Sequence, residues 1–349
     1  MILDCHTHVW ASVDQLGPEL AQRIRTRQAE HWGQYDATPA AHERMMDCVD
    51  GAIVLGFRSE RLGASIPNEL IADYTARDPR RRIGVAGIDP LAADATDQLE
   101  KAIDLGLSGV AVAPASQGFH PAHSSAMHVY ERCMELSMPL FVMGTDPISP
   151  SAELEFARPA LWDEVAREFP NLPIVITQLG SPWIDETLTL LAKHEHVWSD
   201  ISGVAGRPWQ LYTALLNASG YRVLHKLLFG SGFPFETPAK VIEAIYSVNA
   251  FSHGSQLPTI PRSQLRAMVE RDVISCLGLE VTIGPGQAER QTRRDRPTPA
   301  ARERTMSRAS VGEASEEAGP PGSPTPPPSS EAEVEAERGS AMNGADDGA

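Results

Sequence analysis

Short runs of apolar and β-branched residues punctuate this chain at 2–9, 51–56, 83–88, 109–113, 139–143, 173–178, 196–200 and 226–231. Their length and composition predict eight strands. The gaps between them carry helical patterns. Trp162, Val165, Ala166 and Phe169 fall at i, i+3, i+4 and i+7, which puts one apolar stripe on one helix face. Thr237-Pro238 offers an N-cap followed by proline at the first helical position, and Ser181-Pro182 offers a second such start. Strand and helix alternating eight times require right-handed crossovers and a parallel sheet with helices outside. Eight repeats within about 280 residues fit a closed (β/α)8 TIM barrel better than an open doubly wound sheet. Neither GxGxxG nor a P-loop follows any strand, which agrees. The first connection is unusually long. Residues 19–32 read as a helix and, with Trp32 and Tyr35, as an insertion over the barrel mouth.

Composition changes this picture mainly at one end. Residues 285–349 contain no Phe, Trp or Tyr and hold nine of the 28 prolines. Such a segment cannot bury enough apolar surface to offset its ordering entropy, so a disordered tail is expected beyond a barrel of residues 1–284. Seven arginines lie in 289–308 and nine acids in 309–349; an inert solubilising tail is the preferred reading, and no partner for it can be named. The whole chain of 349 residues carries a net charge of −16, which argues against general affinity for nucleic acid or anionic membranes. No apolar run approaches the roughly 18 residues needed to span a bilayer. The start, Met1-Ile2-Leu3-Asp4, lacks a basic leader. Cys5, Cys48, Cys133 and Cys276 form no CxxC pair and read as buried free thiols in a reducing compartment. A cytoplasmic protein is expected.

In such a barrel, chemistry sits where the strands end. The first strand ends Asp4-Cys5-His6-Thr7-His8. Histidines two apart on a strand point the same way, so both imidazoles can share one cation; the alternative is two polar side chains satisfied within a barrel core. Trp10, Trp183 and Trp209 lie just beyond strands 1, 6 and 7 and are candidates for pocket walls. Arg58 and Arg207 follow strands 2 and 7, where a guanidinium can hold a carboxylate or simply face solvent. His120, His123 and His128 look like a loop entering a helix, and His194 and His196 lie at the wrong end for catalysis.

Four segments, Asp4–His8, 84–90 (GVAGIDP), 169–183 (FPNLPIVITQLGSPW) and 228–235 (LFGSGFPF), together resemble the amidohydrolase-related family, in the branch that includes aminocarboxymuconate-semialdehyde decarboxylase. The resemblance spans nearly all of 1–280. It implies a divalent metal, usually zinc, held at the barrel mouth by the two histidines of strand 1, histidines ending strands 5 and 6, and an aspartate ending strand 8. His6 and His8 match the first pair, but Met143, Gln178 and Gly232 stand at the other three positions. Gln178 offers only a weak amide oxygen, Met143 a soft thioether, and Gly232 no proton acceptor. Asp146, Asp200 and His120 are the alternative donors. The family's chemistry is metal-dependent hydrolysis or non-oxidative decarboxylation of a small organic acid or amide. Three readings follow: an enzyme with a rebuilt metal site, a catalytically depleted barrel that binds a small molecule without turnover, or a metal-independent enzyme using His6, Asp200 and Arg58. The expected substrate pocket comprises Trp10, Arg58, Met143, Trp183, Asp200 and Trp209. Analogy with the fold suggests a homodimer.

Overall fold

The computed structural model describes residues 1–31, 35–145, 147–281 and 283, without the side chains of 28–31. Trp32, Asp146 and the expected tail therefore lie outside the described residues. Eight parallel strands run in sequence order around one sheet: β1 Leu3–Thr7, β2 Gly51–Leu55, β3 Arg82–Gly87, β4 Val110–Val112, β5 Leu140–Val142, β6 Ile174–Ile176, β7 Val197–Asp200 and β8 Leu227–Leu228. Main-chain bonds from Cys5 N to Phe229 O (3.0 Å), Gly232 N to His6 O (2.9 Å) and His8 N to Phe233 O (2.9 Å) join the eighth strand to the first. The fold is a TIM barrel. Each strand starts within or beside the run that predicts it.

Two apolar layers follow from the alternation of side chains along the strands. Leu3, Cys5, Ile53, Leu55, Ile83, Val85, Phe141, Val175 and Leu228 fill the barrel interior, with Val273 and Leu277 of the last described helix, Val273–Leu277. Ala52, Val54, Val110, Val112, Ile174 and Ile176 face outward into a larger core shared with the helices. In the helix Trp162–Glu168, Trp162, Val165 and Ala166 are buried as the spacing predicts, and Phe169 caps its end. Thr237 accepts a bond from Lys240 N and starts the helix Pro238–Ser247. The second expected start is displaced: the helix begins at Ile184, two residues after Pro182.

β1 departs from simple alternation. Leu3 pairs with Gly51 and Asp4 with Ala52, but Thr7 pairs with Val54, so one extra residue is accommodated in β1. This bulge puts Cys5 and His6 both on the inner side, while Thr7 faces out and donates to Ile53 O (2.7 Å). Without it, His6 and His8 would point away from the barrel axis. The long first connection forms a short 3-10 turn, Val13–Leu16, and the helix Pro18–His31. A small antiparallel hairpin, Arg58–Ser59 with Ala64–Ser65, follows β2 and has no signal in the sequence pattern. Among the described residues no helix is long and apolar enough to cross a membrane.

Candidate functional site at the barrel mouth

Asp4 secures the bulge. Its Oδ1 accepts from His6 N (3.2 Å) and Ser231 N (2.9 Å), tying β1 to the segment after β8. Its Oδ2 is buried with no hydrogen-bond partner, and burial raises the carboxyl to about 6.

Beyond the bulge, the two strand-1 imidazoles converge. His6 Nε2 and His8 Nε2 lie 3.2 Å apart, with the rings edge to face. Each ring is held from behind. His8 Nδ1 donates to Leu55 O (3.0 Å); His6 Nδ1 meets Asp200 Oδ2 (3.0 Å) and Ser202 Oγ (3.1 Å). Because a carbonyl only accepts, the His8 proton sits on Nδ1 and its Nε2 is left as an acceptor. Burial, with His6 beside it, lowers His8 to about 3, so this ring is neutral near pH 7. A carboxylate likewise only accepts, so His6 donates its Nδ1 proton to Asp200.

Asp200 ends β7 on the inner side, opposite Leu228 of β8. Burial pushes its carboxyl up, but attraction to His6 and hydrogen bonds from His6 and Ser202 pull it below the usual range. Ser202 donates to Asp200 Oδ1 through both its main-chain N (2.9 Å) and its Oγ (2.5 Å), and Gln178 N adds a third bond (3.2 Å). Asp200 is thus an anchor for His6 and not the pocket wall expected from the sequence. Ser202 was missed; the Asp-x-Ser spacing of a local side-chain turn was its signal.

The family's metal can be tested against these donors. Zinc–nitrogen bonds of about 2.0–2.1 Å at tetrahedral angles separate two ligand nitrogens by about 3.3 Å, close to the His6–His8 spacing. Backing of both imidazoles by fixed acceptors is also what ligand histidines need. The rest of the donor set does not fit. Among the described residues no group of three or more His, Cys, Asp and Glu side chains could hold a metal ion. Gln178 packs against Gly144 and Gly203: a Cβ at Gly144 would lie 2.3 Å from Gln178 Oε1. Gly232 adopts φ +70°, and a Cβ there would come within 3.1 Å of Ser202 Cβ. The space beside the family's strand-8 aspartate position is therefore taken by Ser202.

A pocket opens next to His8. Its walls follow the ends of several strands: Trp10 after β1, Phe57 after β2, Ala113 and Ser116 after β4, Met143 and Gly144 after β5, and Phe235 after β8. Leu16 and Leu20 reach in from the first connection, which supports the expectation that this insertion covers the mouth. Of the expected wall residues, Trp10 and Met143 line this pocket. Arg58 does not: its guanidinium pairs with Asp94 (2.9 Å) and Glu60 (3.1 Å) in a separate groove. Trp183 is half-buried ahead of its helix and is absent from the described lining. Trp209 is 54% exposed and stacks on Tyr212 and Phe251 outside the pocket. Phe57, Leu16, Leu20 and Phe235 were not anticipated; nothing in the local pattern distinguishes them from ordinary packing residues.

With this fold and mouth, the chain belongs to the amidohydrolase family, whose pattern it matches over residues 3–268. Solved structures with the same architecture include an uncharacterized TIM-barrel protein from Bordetella bronchiseptica (TM-score 0.62, 19% identity, 79% of this chain and 99% of that one). A putative 2-pyrone-4,6-dicarboxylic acid hydrolase from Pseudomonas putida is also similar (TM-score 0.53, 17% identity, 80% and 98%). So is a dihydroxybenzoic acid decarboxylase from Polaromonas sp. with bound manganese and the inhibitor 2-nitroresorcinol (TM-score 0.51, 16% identity, 80% and 97%). At these identities the likeness concerns the fold. No curated protein sequence matches the chain.

Proposed function

We propose that this amidohydrolase-family barrel binds a small organic molecule in the mouth pocket without the metal-dependent hydrolysis or decarboxylation of its relatives. The observation that carries this reading is the state of the three remaining ligand positions. Gly232 has no side chain and stands beside Ser202 at a φ that would strain any residue with a Cβ, Met143 turns a thioether to the pocket wall, and Gln178 is packed between two glycines. Catalytic zinc sites keep three protein ligands and a water. Two imidazoles alone hold an ion far less tightly, and a positioned general base at the strand-8 position is missing, which in working enzymes contributes about 10²–10⁴ in rate.

The intact His6–His8 pair favours a second reading, in which these imidazoles retain a divalent ion, zinc or manganese, with Gln178 as a weak additional donor and turnover of a small acid or amide. One measurement separates the two. Full-length protein purified from zinc- and manganese-supplemented cultures should carry far less than one metal ion per chain by elemental analysis. A stoichiometric ion that disappears in His6→Ala would overturn the first reading and establish the second.

A further inference from the structure

If the mouth pocket is a binding site, as proposed above, its walls also select the ligand. Among the described lining residues, Trp10, Leu16, Leu20, Phe57, Met143 and Phe235 supply rings and aliphatic groups, and none is Arg, Lys, Asp or Glu. Polar side chains come from His8 and Ser116. His8 Nδ1 faces Leu55 O and its Nε2 faces His6, so both ring nitrogens already have partners. The arginines that follow the strand ends are engaged elsewhere: Arg58 with Asp94 and Glu60, and Arg207 with Ser181 Oγ and Gly203 O. A carboxylate placed here would lose its hydration with no counter-charge in return. Aromatic packing supports a ring as the favoured shape. Phe235 and Trp10 line the pocket with ring centroids 6.4 Å apart, and Phe235 also packs against Tyr35 (5.5 Å).

We infer that the mouth pocket takes a neutral, ring-bearing, predominantly apolar molecule and discriminates against carboxylates. Methyl benzoate and benzoate share a ring and differ in charge, which makes them suitable probes for titration calorimetry on the full-length protein near pH 7.5. Methyl benzoate should bind at least about tenfold more tightly. Phe235→Ala should weaken methyl benzoate binding while the near-ultraviolet circular dichroism of the fold persists. Met143→Arg, which places a cation in the wall, should reverse the order in favour of benzoate. Should that variant not fold, Leu20→Lys, on the wall formed by the first connection, carries the same reversal. Benzoate binding as tightly as methyl benzoate in the native chain overturns the selectivity and leaves the pocket as a binding site. Unchanged affinity in a folded Phe235→Ala places the ligand elsewhere and overturns the inference. Binding of neither probe overturns both this inference and the reading of the pocket on which it rests.

Discussion

His6 shows how closely a single side chain here is constrained. Its ring meets His8 at one nitrogen and Asp200 and Ser202 at the other, and its main-chain N–H is capped by Asp4. Leaving a buried hydrogen-bonding group unsatisfied typically costs about 1–3 kcal/mol. Asp200→Asn, which turns one of the oxygens facing its donors into an NH2, should therefore lower unfolding stability by about that amount in urea titration, and Ser202→Ala by about 1 kcal/mol. Gly232 makes a complementary prediction. Returning an aspartate to this position forces a side chain onto φ +70° against Ser202. Gly232→Asp should cost about 1–3 kcal/mol, and Ser202→Gly in the same chain should recover part of it; full additivity of the two changes in urea titrations would rule out the contact. The two histidines were legible because their spacing matches strand alternation. Their inward direction was not, since it depends on a bulge that Asp4 stabilises from the far side of a loop closed 227 residues later.

At the level of elements, the eight strands were readable because each apolar run is buried on both faces, by the barrel interior and by the helix layer. Helix packing was readable where its periodicity is strong. Trp162 is buried against Tyr130 (centroids 5.5 Å apart), and Trp162→Ala should cost about 3–5 kcal/mol by urea unfolding. A second buried relay gave no sequence signal. His42, from the helix Pro39–Met45, bonds Tyr74 Oη (2.8 Å) through Nδ1 and Thr7 Oγ1 (2.9 Å) through Nε2, and so pins that helix to β1. Burial, with Arg82 nearby, lowers His42 from 6.5 to about 3. The folded protein thus resists the proton that the unfolded chain accepts. This contribution is complete above about pH 6.5 and falls away as pH drops toward 3, at about 1.4 kcal/mol per pH unit. In His42→Gln, stability measured between pH 6.5 and 4.5 should decline less steeply than in the native chain by about that slope. An unchanged slope would mean that His42 is not the group titrating.

For the whole molecule, the barrel has its own interior and outer cores, both closed before residue 284. A chain ending at 284 is expected to unfold at the same urea midpoint and with the same m-value as the full chain; a lower midpoint would give 285–349 a structural role. What the sequence determined by itself was the order and number of strands, the barrel they form, the family, and the first histidine pair. These depend on local periodicity and on motifs contiguous in the chain. The tertiary structure decided which loop residues meet at the mouth, because Leu20, Phe57, Met143 and Phe235 become neighbours only when the sheet closes. It likewise decided that Arg58, Trp183 and Trp209 lie outside the described pocket lining, and that Asp200 serves His6, since direction and partner choice across strand ends depend on register, bulge and closure.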